Sequence, residues 1–405
     1  MKKLRLLVAT STWPLHDGDT RTPFVRGLAD DMADLGWNVM VSAPHAAGAA
    51  LRERTNVRIE RFRYAPDRFE TLAYGAGGLV NFRGTSQKIL AAPFVLAQIC
   101  ALRSAIYRFR PDIVHAHWTL PQGFSSVISA VGSRVPVVTT VHGGDIFGLK
   151  SSIFRPFKSL ALRHSTWVTV NSNFTAENAA RLGAAADRMT VIPMAPSSDR
   201  SPTISRSEAR HDLPDDAWVV AFVGRLIPEK GADDLIRAVA AAGDSRIHAV
   251  IIGDGPMRAE LQRLAHDLGV DKRVRFDGWL TPDAIVDRLV GCDGFAGPSK
   301  TGQNGWVEAQ GIVFLEAMRA GLAVFASRSG GIPSTVRDGE TGWLFPESDY
   351  AALSRLLKAA ADGVLPRELV VRQSGQQFAR TVTRAGTAKA FDNLFCALID
   401  RAEGL

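Results

Sequence analysis

The sequence predicts an α/β protein of two domains, each a parallel sheet covered on both faces by helices. Three observations carry this. Short apolar runs of strand length alternate with stretches of helical periodicity along the whole chain, and repeating strand–helix units specify parallel strands joined by helical crossovers. The alternation breaks at the Pro/Ser-rich stretch 195–206 and then restarts, which marks a domain boundary. The 405 residues, 46% apolar and 22% charged, suffice for two or three domains that each bury a core.

Taken in order, residues 4–9 are short and apolar and read as the first buried strand. The turn Asp17-Gly-Asp-Thr-Arg-Thr-Pro23 follows. Thr22 can cap a helix with Pro23 at its first position, and Phe24, Val25, Leu28, Met32 and Leu35 then recur on one face. Gly36 ends that helix, and 39–41 is the next strand. Strands are expected at 113–116, 135–141, 167–170 and 191–193, with helical runs between them. After the break come strand 218–223, a helix near 233–241, strand 249–252, helix 257–268, strand 274–276, strand 294–296 and strand 323–326. The reading therefore gives an N-terminal domain over 1–195, a second over 196–380, and a last helical run within 381–405. Open parallel sheets bind ligands at the carboxyl ends of their strands, and two such domains make a cleft.

Residues 298–346 organise the second domain. Glu308-Ala-Gln-Gly-Ile-Val-Phe-Leu-Glu316 sets two carboxylates eight positions apart, with Gly311 between them. Glu308 follows a loop rich in Gly, Asn and Ser, whereas Glu316 falls in an apolar helical run. A helix starting near Gly311 leaves free backbone N–H groups beside both carboxylates, a natural seat for a diphosphate. A Glu one turn further on can accept hydrogen bonds from a ribose diol. Two ordinary solvated glutamates are the alternative on spacing alone.

Gly224-Arg-Leu-Ile-Pro-Glu-Lys-Gly231 directly follows an apolar strand. Arg225 offers a fork of donors and Lys230 a mobile point charge, and at this spacing both can close on one pyrophosphate. Ile252-Gly-Asp-Gly-Pro256 lies between a strand and a helix. There Gly253 permits close approach of backbone to a ligand, or belongs to a plain turn with Pro opening the helix. His142-Gly-Gly-Asp145 ends another strand. His115 and His117 share a strand face, but no nearby third ligand completes a set, so a metal is not expected.

Several of these motifs, in this order, resemble glycosyltransferase family 4, whose members are retaining enzymes of the GT-B fold. The match includes the pair Glu308 and Glu316, Ser329-Gly-Gly-Ile-Pro333, Asp338-Gly-Glu-Thr-Gly342, the Gly224–Gly231 loop and His142-Gly-Gly-Asp145. The resemblance implies two Rossmann-like domains facing across a cleft, with the last helix folding back on the first. It implies a nucleotide-diphosphate sugar, UDP- or GDP-linked, held by Arg225, Lys230, the backbone of Gly311, Ile312 and Val313, and Glu316. Glu308 would lie nearest the sugar and the phosphates. Gly278 would lie beside the nucleobase. His142 would steady the sugar hydroxyls or the oxocarbenium charge. His117 would shape the acceptor side, and Asp145 would orient its loop or bind acceptor. Gly18 would approach the donor phosphate, although many relatives carry two glycines there. Ser334, and Ala309 with Gln310, also depart from the commoner pattern without removing a needed charge. Arg225 and Lys230 offset the diphosphate, so no metal or other cofactor is implied. With no obvious enzymic nucleophile, front-face attack by a glycan or lipid-linked acceptor is the implied route to retention.

Charge and composition narrow the partners. Residues 1–195 hold 23 basic and 13 acidic side chains, and 196–405 hold 25 and 28. The basic half suggests an anionic partner or surface. No nucleic-acid motif accompanies it. The apolar run 89–102, with Arg83 and Lys88 before it and Arg103, Arg108 and Arg110 after it, is a buried helix or an interfacial helix touching an anionic membrane. At that length it is too short to span a bilayer. Three widely spaced cysteines suggest a reducing, cytoplasmic setting. Lys2, Lys3 and Arg5 precede only a short strand, which does not read as a secretory signal. The rivals are a GT-B sugar-nucleotide epimerase or phosphorylase, and a non-catalytic nucleotide- or carbohydrate-binding relative. A dehydrogenase lacks its G-x-G-x-x-G after either first strand.

Overall fold

The computed structural model describes residues 3–16, 19, 21–49, 56–74, 85–149, 151–303 and 305–403. The chain forms two compact units, Met1–Met194 with Arg384–Leu405, and Ala195–Thr383.

In the first unit, β1 (Arg5–Ala9), α1 (Pro23–Asp34), β2 (Asn38–Pro44) and β3 (Val57–Phe62) are followed by α2 (Thr85–Phe109) and β4 (Ile113–His117). Next come α3 (Phe124–Ala130), β5 (Val137–Val141), α4 (Gly144–Phe147), α5 (Arg155–His164), β6 (Trp167–Val170), α6 (Asn173–Arg181) and β7 (Met189–Val191). The strands make one seven-stranded sheet of order β3-β2-β1-β4-β5-β6-β7, parallel throughout. The order reverses between β1 and β4, where Val8 pairs with His115 and Ala9 with Ala116. Ligands of such sheets sit at that switch point, beyond the strand ends.

The second unit holds α7 (Arg206–Ala209), β8 (Trp218–Val223), α8 (Ala232–Ala241), β9 (Ile247–Ile252), α9 (Arg258–Asp267), β10 (Val274–Gly278) and α10 (Pro282–Leu289). It continues with β11 (Gly294–Gly297), α11 (Ile312–Arg319), β12 (Ala323–Ser327), α12 (Ile332–Thr335), β13 (Trp343–Phe345), α13 (Tyr350–Ala361) and α14 (Glu368–Thr381). Its six-stranded sheet runs β10-β9-β8-β11-β12-β13, again parallel, with the reversal between β8 and β11. Both faces are buried, so successive strand residues divide between two cores. Val220, Phe222, Ala249, Ile251 and Phe325 pack with Leu235, Ile236 and Val239 of α8. Val219, Ala221, Val250, Ile252 and Val324 pack with Phe314, Leu315 and Met318 of α11. Each fully buried Val, Leu, Ile, Phe or Met side chain among these contributes about 1.5–3 kcal/mol. The second core thereby fixes the helix that carries Glu316.

α15 (Arg384–Glu403) belongs to the first unit. Its Arg384 forks onto Asp31 of α1 at 2.6 and 3.1 Å, and Asp392 accepts from the Trp37 indole at 2.9 Å. The Phe391 and Phe395 rings lie 5.0 and 5.2 Å from that of His115.

Several elements depart from the sequence reading. Thr22 stands at the N-cap of α1 but adopts a left-handed conformation (φ 45°) and makes no side-chain cap. Its hydroxyl donates instead to the Thr12 carbonyl at 3.3 Å. β3 and β13 had no counterpart among the expected strands. The apolar run 89–102 is only part of a 25-residue helix, α2, and Ile89–Phe109 is long and apolar enough to cross a membrane by length and composition. One face of it is core, with Phe94, Gln98, Leu102 and Ala105 buried, while Ile89, Leu96 and Tyr107 are exposed. Neither a wholly buried helix nor one too short to span describes it.

Candidate active site

The loops after β8 and β11 meet at the second sheet's switch point. Gly224 and Arg225 leave β8, and a short 3-10 turn, Pro228–Lys230, brings Lys230 back. Its ammonium forms an ion pair with Glu308 and lies 5.2 Å from the centre of the Trp306 ring. The two cations therefore differ in circumstance. Lys230 is half-buried against a carboxylate, while Arg225 is exposed and has no acidic partner among the described residues.

Glu308 is fixed through its backbone. Its carbonyl accepts from Gly331 N–H at 2.7 Å, so the Gly330-Gly331 turn braces the carboxylate-bearing loop. Gly311 then opens α11 with φ 76°, a conformation only glycine adopts freely. A Cβ there would strike the Phe314 ring at 2.5 Å and would lie 3.7 Å from Glu308 Cγ. No side chain caps α11. The N–H groups of Gly311, Ile312 and Val313 form no backbone hydrogen bond among the described residues, and they carry the partial positive charge of a helix start. The Ser329 hydroxyl nearby is buried without a partner among the described residues.

Glu316 lies in the second turn of α11. Burial raises its carboxyl to about 7, against the opposing effects of a hydrogen bond from the Ser197 N–H and of Arg319. A carboxyl poised at neutrality exchanges its proton when a ligand offers it hydrogen bonds. Gly253 takes φ 140°, and an added Cβ would lie 1.9 Å from the Gly224 carbonyl oxygen. The close approach assigned to it in sequence is thus made to the chain itself, holding the β8 and β9 ends together. Gly278 accepts from Gly253 N–H at 2.7 Å in the same layer. Gly18 lies outside the described residues.

In the first unit, β4 and β5 end side by side. His117 Nδ1 lies 3.0 Å from His142 Nε2, and the rings stack at 15° with centroids 5.2 Å apart. Phe24 and Trp118 flank His142 at 5.0 and 5.1 Å. His142 is half-buried, whereas His117 is 1% exposed and so backs His142 rather than lining a surface. Behind them His115 Nε2 lies 2.6 Å from Thr140 Oγ1. Asp145 is buried. One carboxylate oxygen accepts from Thr119 N–H and hydroxyl at 2.6 and 2.7 Å, and the other from Gly143 N–H at 3.0 Å. Both oxygens are thereby committed to clamping the two strand-end loops, which favours the loop-orienting role over acceptor contact.

Burial keeps the histidines neutral. It lowers His142 to about 4 against the opposing pull of Asp145, lowers His115 to about 3, and lowers His117 well below the ordinary value. In the unfolded chain they titrate near 6.5. Stability is therefore complete above that value and is lost as pH falls from 6.5 toward 4, because the unfolded chain binds protons the folded one refuses. The slope is up to about 1.4 kcal/mol per pH unit for each such histidine. Urea midpoints at pH 7 and pH 5 should differ accordingly, and the difference should shrink in His115→Asn. Equal midpoints would contradict a neutral, buried cluster.

A trio invisible in sequence lies at the β2 end. Ligand atoms of His45, Asp67 and Glu70 come within 4.8 Å of one another. His45 Nδ1 faces Glu70 at 2.5 Å, while Arg63 pairs with Asp67 and lies 3.1 Å from His45 Nε2, so these side chains already satisfy one another.

Two parallel-sheet units, with a lysine–carboxylate pair beside an uncapped helix start in the second, fit a nucleotide-sugar glycosyltransferase of the GT-B fold. The chain belongs to glycosyltransferase family 4. Residues 204–369 match the family model "Glycosyl transferases group 1" and residues 22–195 match "Glycosyl transferase 4-like domain". It is 35% identical over 320 residues to the GDP-mannose-dependent alpha-(1-6)-phosphatidylinositol monomannoside mannosyltransferase of Mycobacterium tuberculosis, covering 76% of this chain and 81% of that protein. Its likeness to the Mycolicibacterium smegmatis protein of the same name is 38% over 176 residues, or 40% of this chain and under half (45%) of that one. The crystal structure of Anabaena HepE in complex with UDP has the same fold, with a TM-score of 0.74 at 19% identity over 97% of this chain and 100% of that one.

Proposed function

We propose that the chain moves a hexose, mannose first among the candidates, from a nucleotide-diphosphate sugar to a lipid-linked acceptor with retention of anomeric configuration. The observation that carries the chemistry is the Lys230–Glu308 pair beside the uncapped start of α11. Arg225, Lys230 and the Gly311–Val313 backbone take the diphosphate, and their positive charge stabilises the leaving nucleoside diphosphate as the glycosidic bond breaks. Glu316 accepts from the ribose diol, and Gly278 lies beside the base. Glu308 lies nearest the transferred sugar. Neutral His142, backed by His117, hydrogen-bonds the sugar hydroxyls, and Asp145 holds the loops that present it. The acceptor hydroxyl attacks from the face the leaving group vacates. The two cations make a metal unnecessary.

GDP-mannose and a phosphatidylinositol-based acceptor come first because relatives of this chain carry both in their names. The thiols of Cys100, Cys292 and Cys396 are free, which supports a cytoplasmic chain. The exposed apolar residues of α2 support work at the inner face of a membrane.

Radiolabelled GDP-mannose with vesicles carrying phosphatidylinositol monomannoside should label the extractable lipid, equally with and without EDTA. The new linkage should be α by NMR. A β linkage would remove retention, and loss of activity in EDTA would remove the metal-free account. Turnover of donor without acceptor would favour an epimerase or phosphorylase.

A further inference from the structure

The first unit contains a pocket of about 430 Å³ between α2, the turn after β4 and the segment around α5. That is the size of a small-molecule site. Phe94, Leu96, Leu120, Pro121, Phe124 and Phe157 are among its walls, and among the described residues no lining side chain carries a hydrogen-bonding group. A ligand with polar groups would lose their hydrogen bonds on entering, whereas hydrocarbon loses nothing.

Two further observations say which hydrocarbon. Leu120 and Pro121 follow at once on Trp118 and Thr119, and Trp118 flanks His142 at 5.1 Å. The pocket therefore begins where the acceptor side of the sheet ends. Its rim is apolar and open, with Leu96 63% and Phe157 44% exposed. Arg155 stands exposed on the same segment, between the lining residues Phe154 and Phe157. Apolar walls, an exposed apolar rim and a cation together match a chain joined to an anionic head group.

We propose that this pocket holds one acyl chain of the lipid acceptor, drawn from the bilayer while the head group lies at the ends of β4 and β5. The role depends on the acceptor being lipid-linked, as proposed above. It makes chain length part of acceptor specificity.

Octyl, decyl and dodecyl phosphate serve as probes, titrated calorimetrically below their micellar concentrations into the full chain and into Ala92→Trp. Ala92 lines the pocket on the exposed side of α2, so the indole fills space without entering the core. Affinity should rise about fourfold per methylene, which is about 0.8 kcal/mol for each CH2 buried. Ala92→Trp should weaken dodecyl phosphate at least tenfold and leave the thermal shift with GDP-mannose unchanged. Affinities independent of chain length, or equal in the two proteins, would overturn the pocket's role. If lipid is labelled in the vesicle assay with no loss in Ala92→Trp, the pocket fails and the lipid acceptor stands. If alkyl phosphates bind by chain length but only water-soluble products form, the lipid acceptor fails and the acyl-chain role with it.

Discussion

Lys230→Ala and Arg225→Ala should each lower kcat/KM for sugar transfer by about 10²–10³-fold while folding as the parent does, since removing one preorganised charge from a reacting centre costs about 2.7–4 kcal/mol of transition-state stabilisation. The folding half follows from exposure. Arg225 is exposed, so its loss costs little stability, whereas Lys230 and Glu308 are 19% and 14% exposed, so Lys230→Ala leaves a partly desolvated carboxylate and lowers stability by more than the loss of a surface bridge, with both cores of the sheet intact. The catalytic half follows from when the charge is needed. Negative charge grows on the leaving diphosphate as the bond breaks, so kcat should fall more than KM rises. In the free protein Glu308 balances Lys230, and on the proposed reading the arriving diphosphate takes over that partner. Lys230→Arg should recover only part of the loss, because a planar fork replaces a compact ammonium. Initial rates beside thermal unfolding curves test both halves. Near-parental kcat/KM in both alanine variants would sink the assignment.

Glu316 should make donor binding depend on pH. In the free protein its carboxyl sits at about 7, while on the proposed reading the ribose diol donates to the ionised form. Binding then requires loss of a proton, and affinity for GDP-mannose should be about tenfold weaker at pH 6 than at pH 8. The sugar-linked diphosphate keeps its charge across this range, so the donor does not contribute. The sign for stability is opposite. The folded carboxyl holds its proton up to about 7 and the unfolded one only to 4.5, so free-protein stability falls as pH rises between these values. Glu316→Gln should bind weakly and show no slope. Calorimetry at several pH values reads this directly, and an unchanged slope in Glu316→Gln would assign the proton elsewhere.

The legible parts of the fold were those written in contiguous sequence. Buried strands such as Trp218–Val223 are unbroken apolar runs, and alternation with helices specified parallel sheets. β3 escaped because its sequence, Val-Arg-Ile-Glu-Arg-Phe, mixes charge into a half-exposed strand at the sheet edge. α2 was underestimated because its apolar run ends at Leu102 while its helix continues through Arg103 and Arg108 to Phe109. Within the site, loop motifs pointed to Arg225, Lys230, Glu308 and Glu316. What they bind in the free protein did not show. Lys230 and Glu308 are 78 positions apart, and His117 and His142 are 25 apart. Trp306 and the orphan hydroxyl of Ser329 were not named as site residues, although Trp306 lies two positions before Glu308 and Ser329 opens a motif that was noticed. Gly253 carried a true signal for close approach, but its partner proved to be the Gly224 carbonyl.

The central claim is that the second unit holds a nucleotide-diphosphate sugar through Glu316 and the start of α11. A thermal-shift panel of GDP-, UDP- and ADP-sugars, run on the parent and on Glu316→Ala, tests it most directly. At 100 times its Kd a bound donor adds about 2.7 kcal/mol of stability, which such an assay resolves. The account predicts a clear shift with one nucleotide class, GDP-mannose foremost, that is lost in Glu316→Ala. No shift with any donor, or an equal shift in both proteins, would contradict it.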